Sequence, residues 1–302
     1  MAIADVLDGL MKTHDDAPEA AASRLRVLAT QAVPADQLGR FGWLVNHVIG
    51  EKQGRWKDAN LLISEAMRPH DALPLPALRS GAVAALVSGD LLRASAIESR
   101  LATQHRLRAM EATMVVRMAA LSFLVTGPRA QEAALGILGV VQIVAGWNAA
   151  SQADASLASS LNNAVSSLIE LDDKAIASPE VRDAIVEGAR AARILWMRAG
   201  GWTHHERADY LCALAANRLG LHDEALEAAE RGLKIIDENG VEDVDRAFLL
   251  LETVRAYRGL GRDNDATRHF SLADKLASAW DDKDTIDWYA SKSAALRAPQ
   301  PQ

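Results

Sequence analysis

The chain has 302 residues, 49% of them hydrophobic and 24% charged, so it carries enough apolar material for a large core and is no disordered tail. A formal net charge of −7 lacks the basic excess of a general nucleic-acid binder, so no nucleic-acid partner is expected. One cysteine, Cys212, excludes an internal disulfide framework and a multi-cysteine zinc site, and its apolar helical neighbours make it a packed thiol. Three Tyr and four Phe in a chain dominated by Ala and Leu predict helices rather than strands.

From the N-terminus, residues 1–10 contain Asp5 and Asp8 and lack a basic region followed by an apolar stretch, so no signal peptide is expected. The acid pair Asp15-Asp16 reads as complementing a helix start. Residues 18–32 predict a helix that caps a stack of helices, and Pro34 starts the next at a favoured first-turn position.

From here the chain repeats itself. Gly54, Gly89, Gly220 and Gly261 are each followed five residues on by an alanine: Ala59, Ala94, Ala225 and Ala266. Twelve on stand Ala66, Leu101, Gly232 and Ala273; four before stand Gly50, Ala85, Ala216 and Tyr257; eleven before stand Trp43, Leu78, Asp209 and Leu250. A glycine in this phase ends one helix by turning left-handed, and a second helix begins within about three residues. The small residues beyond each glycine let the second helix approach the first closely. A weaker unit surrounds Gly127, where Pro128 displaces the alanine to Ala133.

The most apolar run, 133–147, is interrupted by Gln142 and is shorter than the roughly 20 residues a bilayer needs, so a buried helix and no membrane partner are expected. A cytoplasmic location is expected from the missing signal peptide and the missing membrane span. The repeat fades between 149 and 198. Although 151–167 is rich in Ser and Ala, Leu157, Leu161, Ala164, Val165, Leu168 and Leu171 keep helical spacing, which predicts a long helix over a linker. Ser178-Pro179 opens another helix to Met197, with Ser178 as its N-cap. Trp196 and Trp202 bracket a turn at Gly200-Gly201.

Adjacent His204 and His205 point to different helix faces and lack metal-ligand spacing, while Thr203 and Glu206 have the form of a capping box. Structural capping is therefore preferred there to metal or acid–base chemistry. Two amphipathic stripes come next, Ala208, Leu211, Cys212, Ala215 and Leu219, then Ala225, Leu226, Ala229, Leu233 and Ile236. Gly259-Leu260-Gly261 is a turn and not a phosphate loop, and Asp281-Asp282 caps a helix. Residues 298–302 predict a frayed tail.

The phased glycines and small residues resemble the tetratricopeptide repeat (TPR), a two-helix unit of 34 residues. The resemblance is clearest over 245–280, with Tyr257, Gly261, Ala266, Phe270 and Ala273, and over 41–67, with Trp43, Trp56, Ala59 and Ala66. Gly54 to Gly89 spans 35 residues; Gly220 to Gly261 spans 41, a lengthening placed near Asn239-Gly240.

The resemblance implies an all-α, right-handed solenoid of TPR-like hairpins. Residues 1–147 would form an N-terminal array, 148–200 a divergent helical middle and 201–302 a C-terminal array, within one continuous superhelix. It further implies a concave groove lined by the first helix of each pair. Tyr210, Leu214, Asn217 and Arg218 would then face it together with Phe248, Leu251, Arg255 and Arg258, the arginines suited to a carboxylate. A second, more apolar groove would be lined by Phe41, Leu44, Val48, Arg79 and Val83, suited to an amphipathic helix or a second copy of the chain. The alternative for the arginines is ion pairing with acids of adjacent helices. The lysine-and-asparagine pattern of family members that clamp chaperone C-termini is missing.

The functional expectation is a scaffold or adaptor that binds a protein or peptide, is not an enzyme, and has no cofactor or metal. A peptide-responsive regulator acting on a protein target is the alternative. An enzyme or metal site at His204, His205 and Glu206 stands third.

Overall fold

The computed structural model describes residues 2–147 and 149–297; the tail expected at 298–302 lies outside them. Every regular element among the described residues is helical, so the protein is all-α. Eight helices come first: α1 (Ile3–Thr13), α2 (Pro18–Ala29), α3 (Leu38–Val45), α4 (Trp56–Met67), α5 (Leu75–Ser88), α6 (Leu91–Gln104), α7 (Ala109–Ser122) and α8 (Ala130–Ala145). Then come α9 (Asp154–Ile169), the short α10 (Asp173–Ile176), α11 (Pro179–Ala199), α12 (Trp202–Arg218), α13 (His222–Asn239), α14 (Asp243–Gly259), α15 (Asp263–Ala277) and α16 (Lys283–Arg297). A 3-10 turn, Ala35–Gln37, precedes α3 and a π-helical segment, Asn46–Lys52, succeeds it. None of the helices among the described residues is long and apolar enough to cross a membrane.

The four anchor glycines are the four with positive φ: Gly54 at 66°, Gly89 at 89°, Gly220 at 75° and Gly261 at 70°. Each stands two residues before the next helix, at Trp56, Leu91, His222 and Asp263. The residues in phase with them are interior. Ala59, Ala94, Ala225 and Ala266 are at most 3% exposed, and Leu78, Ala85, Leu101 and Ala273 are fully buried. Close approach explains the smallest of them: a Cβ on Gly50 would meet the Trp56 ring at 2.7 Å, and one on Gly232 would meet Leu249 at 2.9 Å.

Gly127 departs from the expected pattern. It is not left-handed, and its turn runs to Ala130 before α8 begins. Helix α2 stops at Ala29, and after Pro34 the chain makes the 3-10 turn before α3. The Ser/Ala-rich stretch is helix α9, as its spacing predicts. Ser178 is the N-cap of α11, yet its hydroxyl donates to the Glu180 carboxylate at 2.5 Å rather than accepting from the helix.

The chain divides into two compact units, one of residues 1–136 with 151–160, the other of 137–150 with 161–302. In the first unit α5 packs on its chain neighbours α4 and α6 and also on α3 and α7. In the second, α12 packs on α13, α14 on α15, and α14 also contacts α12 and α16. The second unit's core gathers Phe248, Leu250, Leu251, Tyr257, Ala266, Ala273, Tyr289 and Leu296.

Candidate functional site

The eight residues expected to face a groove in the second unit lie on α12 and α14. Phe248 and Leu251 are 3% and 0% exposed. Phe248 is covered by Trp288 of α16, ring centroids 4.1 Å apart, with Tyr210 against its edge at 6.5 Å. Leu214 is half-buried. The polar members are engaged within the protein. Asn217 donates to the Glu252 carbonyl and to its Oε2, both at 2.9 Å. Arg218 donates to the Ile169 carbonyl at 3.0 Å and the Leu171 carbonyl at 2.9 Å, closing the end of α9, and pairs with Asp173.

Arg255 pairs with Glu252 and donates to the Lys292 carbonyl at 2.8 Å; Arg258 donates to the Leu296 carbonyl at 2.5 Å. Burial pushes the Glu252 carboxyl above its ordinary range, and the Arg255 charge and the Asn217 amide oppose that rise. These arginines therefore fasten α14 to α16 through backbone carbonyls, while the acid that Arg255 pairs with lies on its own helix rather than on an adjacent one.

In the first unit Phe41, Leu44 and Val48 are 0% exposed and Val83 1%. They are core side chains rather than groove wall, because α3 and its π extension lay them against α5. Arg79 is half-buried and donates to Ser156 Oγ at 2.8 Å.

The capping box expected at Thr203 and Glu206 does not form. Gly201 is the N-cap of α12, so Thr203 is already inside the helix and Glu206 turns inward to 0% exposure. Glu206 lies beside Asp245, and Arg207 Nε stands 2.8 Å from Asp245 and 3.4 Å from Glu206. Burial first, then the Asp245 carboxylate, push the Glu206 pKa up to about 9 from 4.5. His204 instead packs on Trp196, ring centroids 4.5 Å apart. Of the paired acids, Asp282 caps α16 by accepting from the Thr285 amide at 2.8 Å. Asp15 pairs with Lys52 rather than with a helix start.

The open feature of the second unit is a cleft of about 360 Å³ bounded by α11, α12 and α13. Its apolar wall comprises Ile194, Ala215, Ala216 and Leu221, and its polar wall Arg190, Arg193, Glu224, Glu227 and Arg231. At its base the fully buried Asp209 accepts at Oδ1 from Arg193 Nε at 2.7 Å and from Arg231 Nε at 3.0 Å. Arg190 bridges Glu187 and Glu224, 2.8 Å from each. Cys212 also lines the cleft, and burial raises its pKa to about 11, which favours the thiol over the thiolate. Outside the cleft on α11, Met197 lies one turn from Ile194; the two are 45% and 55% exposed.

Reading the sequence for groove residues missed Arg193 and Arg231. The signal was Asp209 itself, a charge in the phase occupied elsewhere by Trp43, Leu78 and Leu250. A buried acid at such a position requires cationic partners from neighbouring helices.

No family model matches the chain, and no curated protein matches it either.

Proposed function

We propose that this chain is a non-enzymatic scaffold, its hairpins stacked in the manner of a TPR solenoid, which holds a protein or peptide partner at the cleft bounded by α11, α12 and α13. The hairpin reading is supported by polar links that recur at close to the repeat length. Asn46 donates to the Ser80 carbonyl 34 residues on, Asn217 to Glu252 35 on, Arg255 to Lys292 37 on and Arg258 to Leu296 38 on. A stack of two-helix units places each residue beside its equivalent one period away, so links of this length are its signature.

The observation that carries the binding reading is the pairing of an exposed apolar strip with guanidinium groups held in place. Asp209 orients Arg193 and Arg231 at low entropic cost, and their outer N–H groups stay open to the cleft with side chains 31% and 45% exposed. Ile194 and Met197 supply apolar contact beside them. A partner segment that fits carries an apolar anchor next to a carboxylate or a free backbone carbonyl.

The test is a double variant, Ile194→Asp/Met197→Asp, compared with the unaltered chain against a partner purified from the source cells. Both side chains are about half exposed, so the thermal midpoint stays unchanged while affinity falls at least tenfold. Undiminished affinity for every partner of the unaltered chain overturns the placement.

A further inference from the structure

A second cluster lies in the first unit, far along the chain from the cleft residues and independent of the scaffold reading. His14, at the end of α1, Asp15 beside it, and His47, in the π-helical segment, bring one donor atom each within 4.8 Å of one another. His14 Nε2 stands 3.6 Å from Asp15 Oδ2, and His47 Nε2 stands 3.4 Å from Asp15 Oδ1. Two donors each about 2.1 Å from one tetrahedral ion stand about 3.4 Å apart, so both histidine–carboxylate edges are close to the separation a shared ion imposes.

The hydrogen bonds on the far side of each ring decide which nitrogen is left to bind. His14 Nδ1 lies 3.0 Å from the Leu10 carbonyl, which only accepts. His47 Nδ1 lies 2.6 Å from Glu51 Oε2, a carboxylate that also only accepts. Each Nδ1 therefore carries a proton, which leaves each Nε2 as the atom facing Asp15; without an ion His47 Nε2 hydrogen-bonds Asp15 Oδ1 at 3.4 Å, and an arriving ion takes the place of the proton in that contact. The outward hydrogen bonds to a backbone carbonyl and a carboxylate are the supports that metal-bound histidines use.

The rings are also fixed in place. Trp43 stacks on His47 with centroids 5.1 Å apart and meets His14 edge-on at 5.6 Å. The π-helical turn sets His47 and Glu51 on one face, and such turns recur at functional sites. The two histidine side chains are 8% and 19% exposed while Asp15 is 65% exposed, which leaves an open side for an ion to enter and for water to complete its shell.

We propose that His14 Nε2, His47 Nε2 and the Asp15 carboxylate bind one divalent transition-metal ion of the zinc class, with Leu10 and Glu51 as the outer supports. Two nitrogens and one carboxylate select a borderline ion over calcium or magnesium, which take oxygen donors. The Lys52 ammonium, paired with Asp15, competes with the ion for that carboxylate and gives it up when the ion arrives.

The test titrates cobalt(II) into the full chain after dialysis against a chelator, following the visible ligand-field bands, and then displaces cobalt with zinc. One equivalent is expected, with bands that zinc abolishes. Asp15→Asn, at an exposed position that leaves the fold intact, weakens binding at least tenfold. Glu51→Gln weakens it between about tenfold and a hundredfold. Lys52→Ala tightens binding, whereas a purely structural ion pair would gain no affinity for metal from that change. Absence of cobalt bands at submillimolar protein with cobalt in excess, or equal uptake by the unaltered chain and Asp15→Asn, overturns the assignment.

Discussion

Asn217 reaches from α12 to α14 and donates both amide hydrogen bonds to a single residue, Glu252, 2.9 Å from the carbonyl and 2.9 Å from the carboxylate. Glu252 is 1% exposed, so this amide and the Arg255 guanidinium take the place of its water shell. Asn217→Ala should cost about 2 kcal/mol in urea unfolding, because it leaves a buried acceptor short of a donor. Asn217→Asp should cost more, by setting a second negative charge on the first. A loss under about 0.5 kcal/mol for both would show that Glu252 draws its stability from elsewhere.

Removing the other partner tests the attachment of α16. Arg255→Gln leaves the buried Glu252 charge without its counter-ion and the Lys292 carbonyl without its donor, at a cost of about 3 kcal/mol. Hydrogen exchange should quicken first in α16 and remain slow in α11. Uniform acceleration along the chain would place the damage beyond that contact.

Glu206 makes stability depend on pH in the direction opposite to a salt-bridged acid. Its folded-state pKa is raised to about 9 from 4.5, by burial first and then by Asp245, so the folded state holds a proton that the unfolded state has released. Stability is therefore full below the unfolded value and falls as pH rises through the window from 4.5 to about 9. Glu206→Gln keeps a neutral donor beside Asp245 and removes that slope. Its thermal midpoint should exceed that of the unaltered chain by a margin that grows between about pH 5 and pH 9, and a constant margin would refute the assignment.

Gly220 isolates the backbone term. A Cβ placed there meets nothing within 4 Å, so the cost of Gly220→Ala comes from φ = 75° alone, about 1 kcal/mol. Gly220→Asn should cost less than half as much, since asparagine tolerates the left-handed region. Equal losses for the two would mean that side-chain contacts, not the turn, set the value.

Cys212 provides a readout of opening at the cleft. With its pKa raised to about 11 from 9.0 by burial, its thiolate fraction at pH 8 is about a hundredfold below that of a free thiol. Alkylation should be slow by at least that factor in the folded protein and normal in urea. Rapid alkylation of the folded chain would show that α12 and α13 part readily.

Whatever depends on neighbours along the chain could be read from the order of residues. Left-handed turns at Gly54, Gly89, Gly220 and Gly261 were legible because only glycine takes that conformation without strain, and the interior alanines were legible because they keep step with those turns. The helical character of the Ser- and Ala-rich stretch was legible from the spacing of its leucines. Ala133, displaced by Pro128 from the usual phase, is nonetheless buried in α8, whereas Glu206 misled because a motif of four residues says nothing about which face of α12 the core will claim.

Partner choice was decided by the tertiary structure. Whether Arg255 meets a ligand or a helix end depends on where α16 comes to lie, and whether Phe248 lines a wall or a core depends on Trp288 covering it. Asp15 and His47 stand 32 residues apart, and no local spacing signals that their donors converge. Burial, ion pairing and ligand geometry are set by contacts between elements distant in the chain, whereas helix and turn formation is set within a few residues.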